Sequence, residues 1–593
     1  MLGRAHFAGI MAIGSLVPML TFGAGANAYV QRNLVADIAG QADVTDPNLV
    51  NPWGVSFSGT GAFWVSNQGK GNSTLYNGSG IITPLVVPVP AANGTGQGTP
   101  TGQVFNGSAT AFLLPGVNRA ATFIFATEDG TISGWANGIP NNLAIVTANN
   151  SAVGAVYTGL AIGSNASGPL LYAANFNSGK IDVFDSKYNA TTVAGGFNDP
   201  NLPAGYAPFN IWPVGGKLYV LYAQQDSKKQ NSVAGAGLGY VDVFDFDGNL
   251  QKRLISGGAL NAPWGVALAP STFGAFAGNL LVGNFGDGKI NAFDVNTGAL
   301  AGTLQDTKGN AIVNQGLWAL IVGNGGSGGD KNTLYITAGP SFGDTKVHGL
   351  LAAIAPPASI LSVMNAASYA TGAIAPGEVV TLTGITIGPS PLAQAAVPAP
   401  GITGALNSNL SGVVVTFNGL PAPILYCSAS QTSVLVPYGL QGASSATVAV
   451  SYRGQTASTT VPIANTAPGI FTLNFSGSGQ AVALNADGTV NGTANAAAAG
   501  SVITFFGTGE GWTDPTGEDG VINDRIIREP VAPVSVMIGG KPAQLVYAGT
   551  ATGLVQGILQ VEAIIPAGVS GAAPVVLTVG NAGSQTAATI TVK

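Results

Sequence analysis

Residues Asn261–Gly298 read NAPWGVALAPSTFGAFAGNLLVGNFGDGKINAFDVNTG. Three short runs, Trp264 to Leu268, Asn279 to Asn284 and Lys289 to Asp294, are rich in β-branched or aromatic residues, and each is closed by Gly, Asp, Asn or Pro. That chemistry predicts three strands joined by tight turns. A fourth follows at Ala299 to Gln305, and four antiparallel strands of this size make one propeller blade.

Working outward, the same phrase recurs along the first 355 residues. Asn51-Pro52-Trp53-Gly54-Val55 opens the first copy, which continues through Phe63 to Gln68 and Ser73 to Asn77. The second holds Thr122 to Thr127 and Thr131 to Asn137, and the third Val156 to Ile162, Leu170 to Asn175 and Lys180 to Asp185. Phe209 to Val214, Lys217 to Gln224 and Tyr240 to Asp245 form the fourth, and Leu317 to Val322, Thr333 to Thr337 and His348 to Ile354 the sixth. Trp212, Trp264 and Trp318 set a period of about 50 residues. The sixth copy lacks an outer strand. Tyr29 to Asp37 is free to supply it, closing the ring and removing a sheet edge. The expectation is a six-bladed β-propeller over 29–355.

Composition agrees with an all-β chain: 593 residues with 87 Gly and 35 Pro, 46% hydrophobic and only 8% charged. Residues 1–28 carry Arg4, an apolar run and Ala26-Asn27-Ala28, the pattern of a secretory signal peptide. The expected product is secreted (extracellular, cell surface or periplasm) and monomeric, with no integral membrane segment after signal removal. Net charge is −6, or −7 without Arg4, which gives no basic footprint for nucleic acid. Cys427 is alone, so no internal disulfide forms.

Beyond Ala355-Pro356-Pro357-Ala358 the texture changes. Asn365 to Gly388 is echoed by Asn491 to Gly511, Val413 to Pro437 by Val534 to Pro566, and Ala446 to Ile463 by Pro574 to Val592. Alternation in Val379 to Thr383 and Val502 to Phe506 suits sandwich strands with one buried face. Two Ig-like sandwiches are expected, 358–467 and 468–593.

The N-terminal part resembles an uncharacterised family of exported bacterial six-bladed propellers, through Asn51-Pro-Trp-Gly, Ala234-Gly-Ala-Gly-Leu-Gly-Tyr-Val-Asp-Val-Phe-Asp, Asn261-Ala-Pro-Trp-Gly, Asn284-Phe-Gly-Asp-Gly-Lys-Ile-Asn-Ala-Phe-Asp and Gly316-Leu-Trp-Ala-Leu. Gly377-Glu-Val-Val-Thr-Leu-Thr-Gly looks like the opening of an IPT/TIG fold. The tandem resembles an uncharacterised C-terminal module of secreted acidobacterial proteins, through Asn365-Ala-Ala-Ser-Tyr, Pro421-Ala-Pro-Ile-Leu-Tyr, Ala467-Pro-Gly-Ile-Phe and Gly507-Thr-Gly-Glu-Gly. Both resemblances imply architecture; neither brings a catalytic residue.

Catalytic side chains are scarce. After signal removal only His348 remains, and with one Cys a His-rich zinc site or a Cys–His dyad is excluded. The ends of second strands hold Asn67, Glu128 with Asp129, Asn175, Gln224 with Asp226, and Asn284. Superposed blades would gather these oxygens at one channel mouth, where Ca²⁺ is the metal they suit; the alternative is that they serve their turns. Asp182, Asp185, Asp242, Asp245 and Asp294 form a further acidic set, in which Asp245-Phe246-Asp247-Gly248-Asn249 reads as a hairpin turn, lacking the length, terminal Glu and flanking helices of an EF-hand. An insertion in the fourth copy, Ser227 to Gly239, exposes Lys228, Lys229 and Asn231 as candidate ligand contacts. Asp514 to Glu529, with Arg525 and Arg528, is the densest charge in the chain and reads as a solvated loop.

Two functions follow. The first is a secreted, non-enzymatic binding or scaffold protein, needing no cofactor, whose propeller face recognises an extracellular protein or polysaccharide while the tandem acts as spacer or docking module. The alternative is a Ca²⁺-dependent hydrolase or lyase at the channel mouth, which must activate water through the metal because no His base is at hand.

Overall fold

A computed structural model describes residues 27–389, 391–399, 402–440, 442–522 and 526–593. The signal-peptide reading falls almost wholly on 1–26, outside them. The described chain is all-β with a propeller-like part, and it divides into two compact units meeting at Pro357/Ala358.

Among its described residues the first unit contains six sheets, antiparallel except where Val30–Ala36 pairs in parallel with Val44–Thr45. The sheet built on the opening stretch pairs Pro263–Leu268, Leu280–Asn284, Ile290–Phe293 and Leu300–Thr303 in sequence. The innermost strands of the others are Pro52–Ser56, Pro100–Phe105, Tyr157–Asn165, Tyr206–Val214 and Leu317–Val322. Each packs against the next, and Leu317–Val322 returns to Pro52–Ser56, so the inner strands close a ring. The sixth sheet is completed by Val30–Ala36, antiparallel to Leu350–Ala355, as the leftover run near the N-terminus predicts. Tyr29 anchors this strand: it is 1% exposed, its hydroxyl donates to the Phe273 carbonyl at 2.9 Å, and its ring lies 4.7 Å from Phe273.

Besides the outer strands Ile82–Pro88, Ile145–Asn149 and Leu250–Ser256, one inner strand escaped the sequence reading. Pro100–Phe105 (PTGQVF) opens the second sheet, pairing with Phe123–Thr127, but it has polar residues where its counterparts carry Trp or Phe, so its hydrophobic signal is faint.

The inner strands share a device. In each of the six the register slips at the same place: around Trp53, Thr101, Thr158, Phe209, Trp264 and Trp318. A bulge re-aims the side chain at its site, and here four of the six are aromatic and meet one another. Trp53 stacks on Trp318 with centroids 3.5 Å apart, Trp264 stands edge-on to both at 6.1 and 5.7 Å, and Phe209 lies 5.9 Å from Trp318. The Trp264 indole donates to the Thr158 carbonyl at 2.9 Å, two sheets away. The centre of the ring is therefore filled by side chains.

The residue after the bulge is small for a steric reason. A Cβ on Gly265 would lie 2.5 Å from the Trp318 carbonyl oxygen, and one on Gly102 2.3 Å from the Leu160 nitrogen. Where the residue is Asn210, its amide donates to the Trp264 carbonyl at 2.8 Å. The recurring Trp-Gly of the sequence is thus a packing signature: the aromatic fills the centre, and the glycine lets the neighbouring strand approach.

The second unit holds two β-modules. The first has a sheet of Ser359–Asn365, Val379–Ile385, Gln431–Leu435, Ile424–Cys427 and Ala393–Gln394, and a separate one built on Val413–Phe417, Ser445–Tyr452 and Gln455–Pro462. Val380, Leu382, Val415, Phe417, Val434 and Val448 fill the space between them. The second module is one curled sheet, because the long strand Lys541–Thr550, bulged between Leu545 and Tyr547, pairs with Val534–Ile538 at one end and along Leu559–Ile564. Its two faces are therefore continuous, unlike those of the first.

Candidate functional site: the polar face of the ring

Inner strands begin, and second strands end, at one face of the ring, so Asn67, Glu128, Asn175, Gln224 and Asn284 fall on that face. The asparagine side chains there are engaged with neighbouring groups. Asn175 Oδ1 accepts the Val156 and Ser178 amides at 3.3 and 3.2 Å, and its Nδ2 donates to Asp182 at 2.9 Å. Asn284 Oδ1 accepts the Asn261 amide at 3.1 Å, while its Nδ2 donates to the Ala259 carbonyl and Asp287. Asn67 is fully buried and donates to Asn72 and Thr74 at 2.8 and 2.9 Å. Each amide braces its own sheet. Among the described residues no three His, Cys, Asp or Glu side chains are grouped to hold a metal.

What the face does contain is a hydrogen-bonded line across three sheets. Trp318 Nε1 donates to Asn51 Oδ1 at 3.1 Å, Asn51 Nδ2 to Gln68 Oε1 at 2.9 Å, and Gln68 Nε2 to Glu128 Oε2 at 2.7 Å. Burial raises the Glu128 carboxyl above its usual range, with Gln68 opposing. Sequence reading singled out Glu128 but not Asn51 or Gln68. The Asn that opens Asn51-Pro-Trp was the available signal: its positive φ of 47° turns the chain into the inner strand and leaves its amide over the indole of the sixth sheet.

The insertion in the fourth sheet is a tethered hairpin. Ser232–Val233 pairs with Gln224–Gln225, extending the second strand. Asp226 closes the tip by accepting the Gln230 amide at 2.9 Å and Asn231 Nδ2 at 3.1 Å. The Lys229 carbonyl receives Asn177 Nδ2 from the third sheet at 3.4 Å, and Asn261 Oδ1 from the fifth holds the Gly235 amide at 2.7 Å. Lys228, Lys229 and Asn231 stay exposed on this fixed tip.

His348 has partners the sequence did not disclose. Its Nδ1 is 2.8 Å from Asp37 and its Nε2 2.9 Å from Asp344, while Asp37 also accepts the Gly349 amide at 2.9 Å. Asp344 first and Asp37 second raise the imidazole above its ordinary value. Both ring nitrogens are occupied and the residue is buried. It clips the closing strand to the sixth sheet through both carboxylates. Asp185, Asp245 and Asp294 accept amides of their own hairpin turns, as expected for Asp245. Cys427 is buried, with its thiol pushed up to about 11.

No family model matches the chain. In class it is an all-β protein with a propeller-like ring. It is 34% identical over 331 residues to uncharacterised protein R648 of Acanthamoeba polyphaga mimivirus, covering 54% of this chain and 78% of that one. With uncharacterised protein L690 of the same virus it shares 33% over 285 residues, 46% of this chain and 74% of the relative. The chain belongs to the family of these proteins. Among solved structures, virginiamycin B lyase of Staphylococcus aureus is similar at 13% identity and TM-score 0.29, covering 52% of this chain and 80% of that chain. The PQQ-bound aldose sugar dehydrogenase of Streptomyces coelicolor is similar at 13% and 0.34, covering 56% and 100%.

Proposed function

We propose that this is a secreted, non-enzymatic binding or scaffold protein: a six-bladed propeller whose polar face recognises an extracellular protein or polysaccharide, carried on a tandem of immunoglobulin-like modules. One observation carries the reading. The centre of the ring is packed with Trp53, Phe209, Trp264 and Trp318, and the polar side chains around it are engaged within their own sheets or, from Trp318 through Asn51 and Gln68 to Glu128, across sheets, while the hairpin tip is held with Lys228, Lys229 and Asn231 outward. Rigid, preformed, polar protrusions favour recognition because little freedom is lost on binding.

The test is binding of the full mature chain to immobilised envelope polysaccharides and surface proteins. Lys228→Glu with Lys229→Glu removes binding, and Lys541→Glu, in the tandem, leaves it intact. Equal binding by both variants sinks the assignment to the ring face. The hydrolase reading draws on the raised Glu128 carboxyl alone, as an acid catalyst would require. Calcium-dependent turnover lost in Glu128→Gln would replace the binding reading with it.

A further inference from the structure

In the charged stretch 514–529, which reads as a solvated loop, residues 519–522 lie instead on the first β-module. Val521–Ile522 pairs with Gly404–Ala405, and the Leu406 amide donates to the Gly520 carbonyl at 2.9 Å. Asp519 Oδ1 receives the Tyr438 amide at 2.9 Å. Arg528, 3% exposed, is held by Glu518 at 3.0 Å and by the Thr516 carbonyl at 3.0 Å. Deeper in, Thr508 Oγ1 accepts the Val379 amide at 2.8 Å and donates to the Gly557 carbonyl at 2.6 Å. Val379, Leu435, Tyr438, Phe506, Ile522 and Ile558 share one core. The two modules are thus clasped, not strung on a flexible linker.

Two acids are buried in this joint. Glu378 is 0% exposed: Oε2 accepts the Ala375 amide at 2.7 Å and Oε1 has no partner. Glu510 is 4% exposed, Oε2 again has no partner, and the side chain lines a cleft with Tyr438, Thr513, Arg528 and Gln556. Among the described residues neither glutamate forms an ion pair; Arg528 is engaged with Glu518. The other titratable group lining that cleft, Tyr438, carries no positive charge. A buried carboxylate without a cation is far costlier than the neutral acid. Burial accordingly drives Glu378 up to about 8, with Glu510 adding to the rise, and Glu510 up to about 7.

We propose that the joint between the two modules is a proton-operated clasp: Glu378 and Glu510 are carboxylic acids in the closed tandem, and their ionisation loosens the arm formed by residues 513–522 and 526–530. The sign follows from linkage. A carboxyl whose folded pKa is raised contributes nothing adverse below its unfolded value near 4.5, and weakens the closed state as pH climbs from there to the folded value, beyond which the loss is complete. Opening becomes up to ~10-fold more favourable per pH unit for each proton released. The joint is closed at acid pH and loosened at neutral to alkaline pH.

Hydrogen exchange of the full chain, corrected for the intrinsic pH dependence of amides, tests this at Val379, Leu406 and Tyr438, the donors that hold the joint. Protection in the unaltered protein falls by about tenfold or more per unit between about pH 5 and 7, while amides of the ring keep theirs. In Glu378→Gln/Glu510→Gln the fall disappears and protection at about pH 8 rises. Parallel pH profiles in the two proteins overturn the proposal. So does recovery of protection at about pH 8 on adding Ca²⁺ or Mg²⁺ alone, which would make the pair a cation site. Infrared spectra of the unaltered protein give a check independent of the variants: a protonated carboxyl band must persist at about pH 6, where a free Glu is ionised, and its absence also overturns the proposal.

Discussion

Trp53 and Trp318 lie face to face at the centre of the ring, 5% and 3% exposed, yet replacing each by Phe has different consequences. Both substitutions remove the same atoms and leave a similar void, a loss of about 1–2 kcal/mol. Trp318 Nε1 donates to Asn51 Oδ1, so Trp318→Phe also breaks a bond and strands an acceptor, adding ~1–3 kcal/mol. Trp53 Nε1 is buried with no partner. Trp53→Phe relieves an unpaired donor, returning ~1–3 kcal/mol, and its net effect is close to zero. The pair should differ by about 3 kcal/mol, or roughly 5 °C in melting temperature for a unit of this size. Urea unfolding of the full chain, followed by tryptophan fluorescence, reads the ring because only Trp512 lies outside it. A Trp53→Phe variant as unstable as Trp318→Phe would refute the claim that the indole hydrogen bond, and not ring volume, distinguishes the two positions.

Further expectations concern closure of the ring and the packing of its inner strands. Gly265→Ala places a methyl 2.5 Å from the Trp318 carbonyl and should destabilise by about 1–3 kcal/mol through overpacking, whereas Gly168→Ala, with open space around it, loses only from its positive φ. Tyr29→Ala removes the ring packed on Phe273 and the bond to its carbonyl, so limited proteolysis should cut Val30–Ala36 before any other strand. His348, raised by Asp344 and Asp37, stabilises the closure fully below its unfolded pKa of about 6.5, and the effect is lost as pH rises through the higher folded value. The stability difference between the unaltered chain and His348→Gln should therefore shrink as pH rises above about 6.5; a constant difference would mean that the imidazole acts by packing alone.

The sequence by itself determined the strand phrase, its repetition and the leftover strand that completes the sixth sheet, because hydrophobic periodicity and turn residues are local properties. It also carried the Trp-Gly signature, though not its meaning: that the bulge at Trp53, Phe209, Trp264 and Trp318 turns these rings to one point depends on six strands being brought together. Pro100–Phe105 escaped because Thr101 and Gln103 are polar and bury themselves only through bonds to neighbouring sheets, to the Tyr157 carbonyl at 2.6 Å and the Gly54 carbonyl at 2.9 Å. Asn67, Asn175 and Asn284 were placed correctly on one face, but side-chain direction settled that they brace their own sheets. Only the tertiary structure brought Asp37, 311 residues away in sequence, to His348, and laid the arm holding Arg528 across Tyr438. Glu378 and Glu510 illustrate the limit best. Each looks like an ordinary surface acid in the sequence, and it is the enclosure supplied by a second module that removes their water and makes their protons matter.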